Sequence, residues 1–315
     1  MKLNKSDLEY LVNKEIKRLA SKLNKTPAFI LKLYESGMTF EEIEKNSKSL
    51  EEMMPEPSKA DELIELRLSE RELEKLAPKT GFENLDWHIK GFIPTRVYIL
   101  SGETNSGKSS LAVNFAVNVA KQNKKVLYLA LEPGNTIVEY VSSVYLKKSF
   151  NELTKEDLEK IKDLSIDFYT EEIKTIEALK KSLDELDRYD FIIIDHIGYF
   201  VTSVKNTTQV QANLMKKIVQ FAKEKKTAIL LIAHLNKSIS KNKKITMDRI
   251  TGSAAFKQDA TDVLLITRDQ KDDFSFLNTG KLFISKTKSG STGTIELVFY
   301  TGKALITEKN EFMPF

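Results

Sequence analysis

The 315-residue chain contains no cysteine. That single absence removes disulfide scaffolds, thiolate zinc sites and cysteine nucleophiles. Glycine and proline are sparse, at 12 and 7 residues, which excludes collagen-like and low-complexity chains. Long apolar runs are missing as well. The longest, Val126–Leu131 and Ala228–Ala233, are six residues each, against roughly 20 for a helix that crosses a bilayer. The stretch from Met1 to Arg18 is charged throughout and lacks the unbroken apolar segment of a signal peptide, so a cytoplasmic location of phage or bacterial type and no membrane partner are expected. Charge of one sign is scarce too. Lys and Arg number 49 and Asp and Glu 45, a net charge of +4, too mild to mark a nucleic-acid binder unless the excess is gathered in one place.

What remains is a globular composition, 41% apolar and 30% charged, in a chain long enough for one large domain with an appendage, or for two domains. Leu8, Leu11, Val12, Ile16, Leu19 and Leu23 recur at helical spacing. Thr26-Pro27 opens a second helix, and Thr39 with Glu42 fits a capping box for a third. Acids and bases are nearly balanced here, which favours a small docking bundle over a helix-turn-helix that reads DNA. The expected small helical domain spans 1–54. Pro55 and Pro57 break the pattern, and a charged helix from about Ala60 to Leu76 follows, with a narrow seam of Leu63, Leu66, Leu73 and Leu76, so 55–78 is expected to be a linker with its helix.

From residue 79 to 315 short apolar runs alternate with amphipathic helical patterns. Strands are expected at Val97–Leu100, Val126–Leu131, Phe191–Ile194, Ala228–Ala233, Val263–Thr267, Leu282–Ser285 and Ile295–Phe299. Continuous apolar strands separated by helices predict an α/β fold with a mostly parallel sheet covered on both faces, the last two strands pairing antiparallel at its edge.

The strongest local signal is Gly102-Glu103-Thr104-Asn105-Ser106-Gly107-Lys108-Ser109, followed by Ser110. It satisfies G-x-x-x-x-G-K-[ST] between a strand and a helix. Glycines let backbone N–H groups curl around an anion, Lys108 meets the β/γ-phosphates of ATP, and the Ser109 hydroxyl is placed to ligate Mg²⁺. Gly102, Thr104, Asn105, Ser106, Gly107, Lys108, Ser109 and Ser110 form the expected nucleotide-binding set. A P-loop needs a carboxylate on a neighbouring strand end, and Phe191-Ile192-Ile193-Ile194-Asp195 supplies Asp195 as the metal residue. Glu132 ends another apolar run and is the candidate general base; His234 ends a third and is the candidate γ-phosphate sensor.

The motifs Thr80-Gly81-Phe82-Glu83-Asn84-Leu85-Asp86, Leu131-Glu132, Ile194-Asp195-His196-Ile197, Ala233-His234-Leu235-Asn236, Gly252-Ser253-Ala254-Ala255-Phe256-Lys257-Gln258-Asp259-Ala260 and Lys286-Thr287-Lys288-Ser289-Gly290-Ser291-Thr292-Gly293 occur in this order. Together they resemble the RecA-like core of DnaB-type replicative helicases, over about residues 79–300, in wording closest to the phage branch. The resemblance implies a ring, usually a hexamer, with ATP and Mg²⁺ between neighbouring subunits and single-stranded DNA through the centre. It implies central loops at Thr202–Thr208 and Asn236–Lys244. The second holds Lys237, Lys241, Lys243 and Lys244 with no acid, and the first holds Lys205 and Asn206, so these six are the candidate DNA contacts. No aromatic residue interleaves the lysines of the second loop, which favours backbone tracking. Lys288 stands where such enzymes generally carry an arginine finger, two residues after Lys286; the paired lysines resemble RecA-type recombinases. The expected function is therefore ATP-dependent DNA unwinding in replication. The alternatives are a RecA/RadA-like recombination or branch-migration ATPase, or an ATP-controlled loader. No primase-like or zinc-binding region is recognised, so a primase or polymerase partner is expected to be a separate protein.

Overall fold

The computed structural model describes residues 5–23, 27–35, 38–45, 60–131, 136–169, 176–185, 188–196, 207–234, 258–271 and 275–309. Its chain divides into two units, Met1–Arg67 and Leu68–Phe315. In the first, helices span Lys5–Lys22, Pro27–Glu35 and Phe40–Lys45. The second starts on its proline, whose missing N–H is no loss in a first helical turn. The third is capped as expected: Thr39 N donates to Glu42 Oε2 at 2.8 Å and Glu42 N donates to Thr39 Oγ1 at 3.3 Å. Ile16, Leu19, Ala20, Ile30 and Ile43 form the buried core, with Val12 and Leu23 packed against it, whereas Leu11 is exposed. The Pro55 and Pro57 segment lies outside the described residues. The helix Ala60–Leu76 carries its predicted seam with Leu63, Leu66 and Leu76 exposed.

Among the described residues the second unit has nine strands: β1 Val97–Gly102, β2 Val126–Ala130, β3 Ile166–Tyr169, β4 Phe191–Asp195, β5 Ala228–His234, β6 Asp262–Gln270, β7 Phe276–Lys286, β8 Gly293–Tyr300 and β9 Leu305–Glu308. Their order is β3-β2-β4-β5-β1-β6-β7-β8-β9. The six strands from β3 to β6 pair in parallel, and β6 to β9 antiparallel. Successive side chains of β1 feed opposite cores: Tyr98 and Leu100 join the cluster under the helix Lys108–Ala120, while Val97 and Ile99 join the cluster holding Leu214, Ile218, Phe221 and Ala222 of the helix Thr207–Glu224. This is why the strand reads as an unbroken apolar run: both faces are covered.

Two short strands, β3 and β9, and the helix Glu83–Ile89 are absent from the sequence-based expectation. β3 is the four-residue run Ile166–Tyr169, too short for periodicity to register. The expected antiparallel pairing of the last two predicted strands holds, but β9 rather than β8 forms the edge.

The helix Lys108–Ala120 carries a polar stripe that its apolar periodicity hides. Asn114 Nδ2 donates to Ser110 O at 2.7 Å and to Ala304 O at 2.8 Å, and Asn114 Oδ1 accepts from Ile306 N at 3.2 Å. Asn118 Nδ2 donates to Thr80 O, and Gln122, just beyond the helix, bonds both backbone groups of Lys79. Residues 114, 118 and 122 share one face, so this stripe staples the chain before β1, and the β9 edge, onto the helix that starts at the P-loop. Asp86 Oδ1 accepts from Thr80 N at 2.9 Å, closing the Thr80–Asp86 motif into a turn. Asn114→Ala leaves the buried Ala304 carbonyl and Ile306 N–H without that partner, and it should cost about 2–4 kcal/mol. Urea unfolding checks this; a loss below about 0.5 kcal/mol would mean other groups satisfy both atoms.

Candidate active site

Strand order builds the site. β5 lies between β1 and β4, and parallel register sets Gly102 beside His234 and Ile194 beside Leu231. The carboxyl ends of three neighbouring strands thus deliver the P-loop, His234 and Asp195 to one rim, the edge where open α/β sheets bind ligands. The turn after β1 needs its glycines. Gly107 has φ +93° and a Cβ there would stand 2.8 Å from Phe299 Cε1; a Cβ on Gly102 would stand 2.5 Å from Ile266 O. From Gly107 the helix Lys108–Ala120 departs with its first N–H groups at the loop. Lys108 is buried, and its Nζ donates to Gly102 O at 3.1 Å and Glu103 O at 2.7 Å, so the ammonium is held inside the loop's own curl.

A cavity of about 590 Å³ opens on this loop. Thr104, Asn105, Gly107, Lys108, Ser109 and Ser110 line it together with Asp195 and His234. Gly102 and Ser106 of the expected set do not line it and instead shape the turn behind. The buried Tyr128 hydroxyl donates to Asp195 Oδ2 at 2.7 Å. Burial, then the Asp195 charge, pushes the Tyr128 hydroxyl well above its usual range, so it stays protonated and acts as a donor. The His234 ring meets His196 edge to face at 4.1 Å between centroids.

Ser109 and Asp195 offer a hydroxyl and a carboxylate, oxygen donors suited to a hard divalent cation such as Mg²⁺. Among the described residues no group of three or more His, Asp or Glu could hold a metal alone. The donor set therefore fits an ion that brings phosphate oxygens with it, which is how Mg²⁺ is usually held.

The aromatic wall beside the loop was not legible from motifs. Arg268 lies over the rings of Phe276 and Phe299, at 5.3 and 5.1 Å from their centroids, and lines the cavity with both of them and Tyr300. Arg268 Nε donates to Leu277 O at 2.7 Å, which holds the guanidinium in place. A flat cationic and aromatic wall of this kind stacks a planar ring. Its residues come from β6, β7 and β8, and only their adjacency in the sheet unites them.

Lys286 and Lys288 do not line the cavity of their own chain. Lys286 Nζ donates to Ala260 O at 2.6 Å and Gln258 O at 2.9 Å. Burial, then the charge of Lys288, lowers the Lys286 pKa from its usual value, with Asp262 and Asp259 opposing. Lys288 is exposed. Glu132, Lys205, Asn206, Lys237, Lys241, Lys243 and Lys244 lie outside the described residues.

A family model described as the DnaB-like helicase C terminal domain matches residues 78–307. A probable replicative DNA helicase from Trieres chinensis is 25% identical over 267 residues, covering 75% of this chain and 58% of that protein. The replicative DNA helicase DnaB of Mycoplasma genitalium is 27% identical over 252 residues, covering 70% of this chain and 54% of that protein. The chain thus spans a little over half the length of these curated relatives. A solved structure of a DnaB-like replicative helicase, described with its interactions with primase, matches with a TM-score of 0.68 at 16% identity, over 96% of this chain and 79% of that one.

Gly107→Ala tests the loop geometry. The substitution forces a Cβ into the left-handed region, costing about 1–2 kcal/mol of stability, and pushes against Phe299. Binding of a fluorescent ATP analogue should weaken at least about tenfold, since the N–H groups no longer converge on one anion. Unchanged affinity would separate the cavity from phosphate binding.

Proposed function

The chain belongs to the DnaB-like helicase C-terminal domain family, and from that premise we propose that it hydrolyses ATP at the interfaces of a ring, a hexamer, and uses the cycle to move along single-stranded DNA and unwind duplex in replication. One observation carries the reading. The P-loop, Asp195 and His234 line a single cavity on the strand ends, while Lys286 and Lys288 lie outside it. The cavity is then half a site, and cations from a second copy complete it.

In this reading Lys108 leaves the carbonyls of Gly102 and Glu103 to meet the β- and γ-phosphates, and the N–H groups at the start of its helix take up the remaining phosphate charge. Ser109 and Asp195 would hold Mg²⁺, with Tyr128 fixing one Asp195 oxygen. An ion held by those two side chains would supply positive charge against the phosphate oxygens. Glu132 accepts a proton from the attacking water and orients it. His234, between the P-loop strand and the Asp195 strand, reads whether the γ-phosphate is present. Lys288, seconded by Lys286, reaches the transition-state charge from the neighbour; as a point charge it lacks the bidentate geometry of arginine. The nucleobase stacks on the Arg268, Phe276 and Tyr300 wall. Lys205, Asn206, Lys237, Lys241, Lys243 and Lys244 follow the DNA backbone. A separate primase or polymerase is the proposed partner.

ATPase assays check the shared site. Lys108→Ala should lose nucleotide binding. Lys288→Ala should bind ATP but hydrolyse it poorly, and mixing it with Glu132→Gln subunits should restore part of the turnover, because the two lesions then fall on opposite sides of some interfaces. No restoration would place both groups in one subunit. Filaments on single strands, in place of closed rings, would favour the recombinase reading that the lysine pair suggests.

A second assay addresses DNA. Replacing Lys237, Lys241, Lys243 and Lys244 together should weaken single-strand binding and flatten the slope of log K against log salt by up to about 3, from four phosphate contacts at roughly 0.7 each. An unchanged slope would take these lysines off the DNA path.

A further inference from the structure

The segment from Lys286 to Gly293 is fastened at three places around the exposed Lys288. At its start Lys286 Nζ is bound to the carbonyls of Ala260 and Gln258. At its end His88 Nδ1 stands 2.6 Å from Ser291 O, and a Cβ on Gly290 would stand 2.5 Å from His88 O, so the turn is pressed onto the helix Glu83–Ile89. The middle is held by Arg96, which immediately precedes β1. Arg96 is buried, its Nη1 donates to Ser289 Oγ, and its Nη2 lies 3.6 Å from Glu74 Oε1. Ser289 is the residue next to Lys288, and Glu74 belongs to the last turn of the helix Ala60–Leu76.

A buried guanidinium is costly unless its charge and donors are met. Arg96 meets them with one group from the helix end and one from the lysine loop, in the fixed fork geometry peculiar to arginine. The charge of Arg96 also reaches the buried Asp262 at the start of β6, whose carboxyl burial pushes above its usual range while the hydroxyls of Thr287 and Thr261 and the charges of Arg96 and Lys286 oppose. A shift of the helix end therefore moves the partner of Arg96, and with it the residue beside Lys288.

We infer that Arg96 is a positioning residue for Lys288, bridging Ser289 to Glu74 so that the placement of the lysine lent to a neighbouring copy depends on the last turn of the helix Ala60–Leu76. This rests on the reading above that Lys288 completes a neighbour's site. Arg96 touches no nucleotide; it acts on the loop.

The test is ATPase kinetics on assembled full-length protein, with nucleotide affinity measured separately. Arg96→Ala should lower kcat about ten- to a hundredfold, the scale of a misplacement near 1 Å, and leave affinity for ATP within about twofold, because the P-loop of the same chain is intact. Arg96→Lys and Glu74→Gln should fall between wild type and Arg96→Ala. Mixing Arg96→Ala with Lys108→Ala subunits should recover turnover at about one interface in four, since each heterologous interface takes one face from each copy. Ser289→Ala removes only the hydroxyl and carries the test if Arg96→Ala misfolds; it should lower kcat with affinity unchanged. Wild-type kcat in both Arg96→Ala and Ser289→Ala, with Lys288→Ala inactive, would overturn the inference, as would an Arg96→Ala defect that Lys108→Ala subunits fail to complement. Full activity in Lys288→Ala would instead overturn the shared-site reading itself.

Discussion

The parallel insertion of β5 between β1 and β4 is the constraint on which the rest depends. It sets the ends of three strands side by side, so one backbone ladder supplies the P-loop, a histidine and a carboxylate to a single rim. All three strands are apolar on both faces, so alternation of side chains does little to penalise a slipped register. Specific bonds do that work. Ser101 Oγ donates to Ala233 O at 2.8 Å across the β1 and β5 pair, one residue short of the Gly102 and His234 step. Tyr128 reaches from β2 to Asp195 on β4 in the same way. These polar cross-links sit at the carboxyl end, where position matters to chemistry.

The charges follow a second logic. Two lysines of the chain are held by backbone carbonyls: Lys108 is folded into its own loop, and Lys286 is tied to the carbonyls of Gln258 and Ala260. Bringing two ammonium groups together in a region of reduced dielectric costs Coulomb repulsion. The aromatic wall of the cavity, which meets the P-loop at Gly107 and Phe299, is furnished differently, with Arg268 spread over Phe276 and Phe299.

Much of this was legible in the residues. The P-loop, Asp195 and His234 announce themselves because each follows an apolar run with a polar residue, and a covered parallel strand has to end that way at its rim. The helices of the N-terminal unit were legible from caps and spacing, Thr39 and Glu42 above all. Other features left no local trace. Asn114 reads as a polar interruption of a helix until Ala304 and Ile306 are seen against it. Arg96 reads as a lone charge before a strand, and its partners lie at residues 74 and 289. Spacing along a chain carries no information about contacts of such separation.

Sequence by itself therefore determined the class of the fold, the family, and the glycine turn between β1 and its helix, because those depend on local periodicity and on a backbone that demands glycine at Gly107. Tertiary structure alone decided which of the motif residues share a cavity, that Lys286 and Lys288 stand outside it, and that a buried arginine ties their loop to the end of a distant helix. The physical reason is that strand order and side-chain pairing across the sheet are set by packing summed over the whole unit, whereas a motif records only the conformational needs of its own few residues.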